Sequence, residues 1–457
     1  MANAPHVPVH LGAMGESVRR VLAARGSTLR AGDVVALNDP FAGGTHLPDI
    51  TVITPVFDEA GALRFLLGAR GHHTDIGGTR PGSTPPFSRT LAEEGVVITD
   101  FLLVEQGRLR ETEFLALLAD APWPARDPQM NLADVKAQIA ANQAGSRALE
   151  RLVADQGGDR VARYAGFVME NAAASVRRLI GRLEDGGATL PLDNGGQIQV
   201  AVRVDRVSER IAIDFTGTSA ARPDNFNAPP QIARSVVLYV LRCLVGEDIP
   251  LNEGCLVPVD LIVPQGSLID PPAGSAVVAG NTEISQALAT SLLLALNAAA
   301  ASQTTMNNLL FGNSLIQYYE TICGGAGAGS GFEGASAIHT HMTNTRATDP
   351  EVLEWRLPVR LERFARRRGS GGRGKFPGGD GVERHLRFLA PMQLSLIASS
   401  RLVPPPGLAG GGPGLPGRQH VVRADGTRQE LPGIAALDVY PGDLFVIETP
   451  GGGGYGG

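Results

Sequence analysis

The stretch DITVITPVF, Asp49–Phe57, followed by DEAG (58–61) and then ALRFLLGAR (62–70), decides how the rest of the chain is read. Two apolar runs flank four turn-forming residues, which is the pattern of a β-hairpin. With Phe57 facing Ala62 across the turn, the register extrapolates past the strand ends to His46 opposite His73, with opposed Cβ atoms about 5 Å apart. A slip of one residue exchanges His73 for His72, so the geometry selects the loop and not the histidine. The hairpin therefore brings THLPD (45–49) beside GHHTD (71–75), and both segments lie in glycine-lined loops.

On either side of the hairpin the pattern alternates. Val18, Val21 and Leu22 recur at helical spacing before a stop at Gly26, and DVVALND (33–39) reads as a buried strand. Between residues 131 and 185 the apolar period becomes helical, with Val161, Tyr164, Ala165, Val168 and Met169 on one face and GGD (157–159) dividing two helices. Strands return in QIQVAVRVD (197–205) and RIAIDFTGTS (210–219), followed by helices expected over 232–245 and 281–301. The fold class is α+β. It divides into a strand-rich region over 1–130, a helical hairpin over 131–190, and an α+β region over 191–457 with a loop-rich, glycine-rich tail. That tail, including PPPGLAGGGPGLPG (404–417) and TPGGGGYGG (449–457), fits a linker or a surface of tight turns equally well.

Bulk composition narrows the function. At 457 residues, a prior of roughly 150 residues per domain suggests two or three domains. A hydrophobic fraction of 43% with 19% charged residues describes a globular chain rather than a disordered one. A formal charge of −6 without a long basic run argues against nucleic acid as a partner. The local basic stretch RLERFARRRGSGGRGK (360–375) reads as a solvated face before it reads as an anion site. Three widely spaced cysteines form no pairing framework and no secretory signal opens the chain, so a cytoplasmic location is expected. Polar residues interrupt the apolar run 284–303, which reads as a buried helix rather than a membrane span.

The chemistry concentrates in the two loops. Three of the nine histidines, His46, His72 and His73, converge with Asp39, Asp49 and Asp75. Imidazole nitrogens with carboxylate oxygens suit Zn, Mn or Fe, and a bound ion would lower the pKa of water and polarise an acyl oxygen. Asp39 and Asp75 fit a supporting role around such an ion. The plain alternative is a pair of polar turns, with Asp39 as a turn former before Pro40. Elsewhere, GSGGRGKF (369–376) has P-loop spacing, but Phe376 stands where a Mg²⁺-binding hydroxyl is needed, so ATP binding there is rejected. Cys323 has no local base, although His339 and His341 could approach in space, and it reads as structural.

These segments together resemble the hydantoinase B/oxoprolinase family, whose relatives include acetone carboxylase subunits. The resemblance runs through HVPVHLGAM, GDVVALNDPFAGGTHLPDITVITPVF, HHTDIGGTRPGS, DFTGTS with DNFNAPP, IPLNEGC, AGNTEISQ, HTHMTNTRATDPEVLE, SGGRGKFPGGDG and PGDLFVIETPGGGGYGG, and so covers nearly the whole chain. It implies a metal-dependent B subunit of an ATP-dependent cyclic-amide hydrolase, a 5-oxoprolinase or an N-substituted hydantoinase, in a hetero-oligomer. A hydantoinase A type ATPase subunit would use the ATP and activate the ring, consistent with the missing phosphate loop. Carried over, the family's divalent-metal region falls on His46, Asp49, His72 and His73, and Asp75 or His73 would supply acid–base help. Two other readings stay open: a subunit of a ketone carboxylase, and a non-catalytic scaffold. Family members have several dozen residues before the segment matching HVPVHLGAM, so a truncated start, lacking whatever ligand that segment supplies, is also expected.

Overall fold

The computed structural model describes residues 7–313 and 315–457, so the first six residues, where the expected truncation falls, lie outside the described residues. Helix α1 (Met14–Arg25) packs on a five-stranded sheet of β1 (Val34–Leu37), β2 (Asp49–Phe57), β3 (Leu63–His72), β4 (Phe101–Glu105) and β5 (Arg108–Leu109), in the order β3-β2-β1-β4-β5. The β2–β3 hairpin is present, but its register differs from the expected one by two residues: Val56 faces Phe65, and Asp49 faces His72. The cause sits in the turn. Asp58, not Phe57, closes it, with its N–H donating to the Ala62 carbonyl and its Oδ1 accepting from the Ala62 N–H. An irregularity at Val56/Phe57 then advances the ladder by one more residue. His46 is consequently not opposite His73.

Helix α2 (Glu111–Ala119) leads to α3 (Pro128–Gln156), which begins where Asp127 accepts a hydrogen bond from the Met130 N–H and Pro128 occupies the first turn. Gly157, at φ 79°, breaks the helical run before α4 (Gly158–Ile180). The two helices serve different cores. Leu132 and Val135 of α3 join the core of the first sheet, whereas Val176 and Ile180 of α4 join the core of the middle region. The buried face of α3 also carries amides. Gln138 Nε2 donates to the Ile50 and Ala69 carbonyls, and Asn142 Nδ2 donates to those of Val52 and Leu67, so one helix grips both strands of the hairpin.

The middle region holds a sheet of β6 (Gly186–Pro191), β7 (Gln197–Asp205), β8 (Arg210–Asp214) and, after α5 (Pro230–Val245), β9 (Val259–Ile262). Helix α6 (Ser285–Ala295) is buried along most of its length. It is shorter than expected: Asn297, at φ 50°, ends it, and the chain through residue 306 is irregular. Immediately before α6, Gly280–Ile284 forms one π-helical turn. Among the described residues no helix is long and apolar enough to cross a membrane.

The remaining strands are β10 (Asn308–Gly312), β11 (Gln317–Thr321), then, past the short helix α7 (Pro350–Arg356), β12 (Val359–Arg366), β13 (Val382–Phe388), β14 (Met392–Ile397), β15 (Arg418–Val422), β16 (Arg428–Leu431), β17 (Ile434–Val439) and β18 (Leu444–Glu448). They form two sheets, β11-β10-β14-β17 and β12-β13-β18-β15-β16, with Phe311 and Leu394 of one sharing a core with Leu386 and Phe445 of the other. A buried ion pair, Arg384 with Glu320, joins them. Three of the six arginines of the basic stretch are paired, Arg363 with Glu383, Arg366 with Asp380 and Arg367 with Glu448.

The glycine-rich tail is neither a linker nor a set of surface turns. Gly452 donates to the Gly379 carbonyl, Gly379 to Ala326, Gly372 to Gly452, and Gly454 to Gly412, which binds four segments into one bundle around the buried stretch 449–454. A Cβ on Gly378 would lie 2.0 Å from the Gly452 carbonyl oxygen, and one on Gly452 would lie 2.0 Å from that of Ala326. Glycine is needed here for close backbone approach. The segment of P-loop spacing at 369–376 contributes to this same bundle.

Candidate metal centre

The loop that carries His46 is folded by its neighbours. Asn38 donates to the Leu47 and Val96 carbonyls and accepts from the Ile98 N–H. Gly43 takes φ 97°, and a Cβ on Gly44 would lie 2.3 Å from the Asn38 carbonyl oxygen, so the turn before Thr45 requires the glycine pair. The loop thereby delivers His46 to the mouth of the hairpin, where Asp49 opens β2 and His72 closes β3.

Asp49 is the hub. Its Oδ2 lies 2.7 Å from His46 Nδ1 and 3.3 Å from His10 Nε2, and its Oδ1 lies 3.1 Å from His72 Nδ1. Thr45 Oγ1 donates to Oδ2 at 2.9 Å. The His46 and His72 rings stack at 5.2 Å, and one donor atom from each of His46, Asp49 and His72 lies within 4.8 Å of the others. His46 Nδ1, despite its nearness to Asp49, is not aligned for a hydrogen bond and is buried without a partner. Two imidazoles and one carboxylate with donor atoms this close together fit a borderline divalent transition ion.

The protonation states agree with that fit. Burial opposes ionisation of Asp49, but the surrounding imidazoles, His10 first and then His46 and His72, hold its carboxyl well below the usual range. Burial pulls His46 below its ordinary value, against the attraction of Asp49. An ionised carboxylate beside a neutral imidazole is the state that ligates metals.

The other expected residues fall elsewhere. His73 follows His72 directly and so points to the opposite side of the strand end. It is buried against α3, with Nδ1 accepting from Asn131 Nδ2 at 3.0 Å and Nε2 lying 3.3 Å from Gln138 Oε1. The structure places His73 apart from the His46–Asp49–His72 group and in the helix–hairpin clamp. Asp75 organises its own loop, accepting from the N–H groups of Gly77, Gly82 and Arg126 and from Arg126 Nη1. Asp39 caps the turn Pro40–Ala42 and accepts from Thr99 Oγ1. Cys323 and His339 do line one shallow depression, but burial pushes the thiol up to about 11, so it stays protonated at neutral pH.

Four groups at the site escaped the sequence reading. His10 and Thr45 hold Asp49, Tyr319 sits with its ring 5.8 Å from that of His72, and Asn281 Nδ2 lies 3.4 Å from His46 Nε2. Asn281 belongs to the π-helical turn, a distortion found often at functional sites. His10, Thr45 and Asn281 lay inside quoted segments and Tyr319 in none, and no spacing rule connects residues 10, 281 and 319 to residue 49.

A comparison with known proteins follows from this geometry. The chain is 43% identical to 5-oxoprolinase 1 of Arabidopsis thaliana, in a match that covers all of this chain and 38% of that protein, so it spans less than two-fifths of that relative's length. The solved ATP-dependent caprolactamase from Pseudomonas jessenii superposes with a TM-score of 0.87 at 25% identity, over 100% of this chain and 82% of the other. A nucleotide-free acetone carboxylase structure has the same TM-score, 0.87, at 18% identity, over 99% of this chain and 69% of that one, and shows a shared fold. The family description that matches residues 1–457 is hydantoinase B/oxoprolinase, and the chain belongs to that family.

Proposed function

We propose that this chain carries the metal-dependent ring-opening step of an ATP-dependent cyclic-amide hydrolase of the 5-oxoprolinase or hydantoinase type. The observation that supports the reading most strongly is the His46–Asp49–His72 set, with donor atoms of all three within 4.8 Å. A Zn, Mn or Fe ion held there would supply Lewis acidity and a water of lowered pKa. The chain's own part is to keep Asp49 ionised, to keep His46 neutral, and to hold both rings in place through Thr45, His10 and the α3 clamp. His10, 12% exposed and 3.3 Å from Asp49 Oδ2, is the proton carrier best placed to serve the departing nitrogen, the role expected of His73 or Asp75. Asn281 presents its amide beside His46 and can orient a ring carbonyl.

ATP use is assigned to a hydantoinase A type partner in a hetero-oligomer, because the one glycine-rich segment of P-loop spacing is built into the backbone bundle. The three free cysteines suit a reducing, cytoplasmic setting. The test is reconstitution with such an ATPase, followed by metal analysis and ATP-dependent opening of 5-oxoproline. His46→Ala should lose metal and turnover together, while His73→Ala should keep its metal. Full turnover by metal-free protein, or a scaffold's indifference to His46→Ala, would overturn the proposal. ATP-dependent fixation of bicarbonate into a ketone, without ring opening, would favour the carboxylase reading instead.

A further inference from the structure

One cation stands close behind the metal centre and takes no part in the group described above. Arg70 precedes His72 by two residues on β3 and faces Thr51 of β2, while His72 faces Asp49. Side chains two apart on a strand share a face, with about 7 Å between their positions. Arg70 therefore sits one rung behind the Asp49–His72 pair, on the same side of the sheet.

Neutral groups fix the guanidinium there. Nε donates to Thr51 Oγ1 at 2.7 Å, and Nη2 donates to Ser17 Oγ at 2.9 Å and to the Gly43 carbonyl at 3.4 Å. Ser17 Oγ in turn donates to the Gly43 carbonyl at 2.6 Å, so α1, the glycine turn and β2 all hold one cation. Thr51 and Ser17 are fully buried, and Nη1 is enclosed with no partner. Among the described residues no carboxylate pairs with Arg70, and the acidic charge that acts on it is that of Asp49. With neutral imidazoles, Asp49 alone makes the hub an anion, and Arg70 cancels that charge from one rung away. Like charges at this spacing repel even at the effective permittivity of a protein interior. An arginine in this place therefore opposes the entry of a divalent ion, and it leaves more of a bound ion's charge for whatever else that ion holds.

We infer that Arg70 is a charge-tuning, positioning residue of the metal centre, which lowers the affinity for a divalent ion and raises the electrophilicity of an ion held there. The inference rests on the reading of His46, Asp49 and His72 as ligands. A purely structural role makes the opposite prediction. If the arginine only props the Gly43 turn and β2, its removal loosens the ligands and weakens binding, so the sign of the change in affinity separates the two roles.

The test is the zinc affinity of the full chain at neutral pH, measured by competition with a chromophoric chelator, with folding checked by near-ultraviolet circular dichroism. Arg70→Met removes the charge and keeps an unbranched side chain, and Arg70→Gln also keeps a donor for Thr51. Each should bind zinc at least about tenfold more tightly than the native chain. Arg70→Lys, which keeps the charge, should stay within about threefold of native. Thr51→Val, which removes a hydrogen bond to the arginine and not its charge, should show no tightening. At saturating zinc the neutral variants, reconstituted with the partner ATPase, should turn over more slowly although they hold the metal better. Unchanged or weaker zinc binding in the folded neutral variants, or tightening in Thr51→Val, would overturn the inference and leave the metal reading standing. Absence of zinc binding by the native chain would overturn both. If neither neutral variant folds, Ser17→Asp decides: it sets a carboxylate against Nη2 and should tighten zinc binding in the same way, and unchanged affinity there would overturn the inference.

Discussion

Asp49 shows what a single side chain does here: it opens a strand, faces His72 across the ladder and gathers His10, His46 and Thr45 around one carboxylate. His73, one residue from the proposed ligand His72, tests how sharply that position is defined. His73→Ala should cost about 1–3 kcal/mol in urea unfolding, through its lost contacts with Asn131 and Gln138, with metal content retained. A second residue gives a pH prediction. Glu94 is buried, accepting from the Val277 and Val278 N–H groups and from Ser88 Oγ, and burial outweighs those donors to push it up to about 7. A carboxyl raised on folding contributes stability that is fully present below its unfolded pKa and lost as pH rises through the folded value. The stability of the native chain relative to Glu94→Gln should therefore fall by about 3 kcal/mol between pH 4.5 and pH 7. Denaturant titrations of both proteins across that range would detect it, and a constant difference would refute it.

At the scale of elements, the hairpin, the loop 40–48 and the first half of the helical hairpin act together. The hairpin was legible because β-branched residues and a DEAG turn mark it. Its register was not, because Asp58 could close the turn only once its carboxylate had found the Ala62 N–H and Arg64. The two-residue difference is even, so each side chain kept its face while its partner changed. The π-helical turn was invisible for a similar reason: AGNTEISQ reads as ordinary helix, and the turn is held by packing of Gly280 on the DNFNAPP loop. A Cβ at Gly280 would lie 2.1 Å from the Asn227 carbonyl oxygen. Gly280→Ala should cost about 1–3 kcal/mol in unfolding. It should also lower turnover while metal content is unchanged, because it displaces Asn281 and not the ligands. Loss of metal in that variant would show that the turn supports the ligands directly.

On the scale of the whole molecule, three sheet-bearing regions are tied by long-range polar contacts and by the glycine bundle. Glu94 links the first region to the segment before α6, and Arg384 with Glu320 links the two C-terminal sheets. The bundle joins segments that are more than 120 residues apart, as where Gly452 approaches Ala326. Gly452→Ala should therefore act globally. Its Cβ meets backbone rather than a movable side chain, and the expected result is insoluble or molten protein by near-ultraviolet circular dichroism. Gly61→Ala, where nothing lies within 4 Å but φ is 79°, should fold with only a local penalty of about 1 kcal/mol.

The amino-acid sequence by itself determined the α+β class, the hairpin, the break at Gly157 between two helices, and the meeting of His46 and Asp49 with a histidine from the second loop. Those features rest on periodicity and turn chemistry, which act over a few neighbouring residues. Tertiary structure alone decided that His72 and not His73 lies beside His46 and Asp49, that Asp75 belongs to Arg126, and that His10, Asn281 and Tyr319 come to the same place. It also buried the last glycine run, 449–454, against three other segments. The physical reason is that a ligand set and a backbone bundle are defined by distances through space between segments hundreds of residues apart, and local propensity carries no information about those distances until the chain has packed.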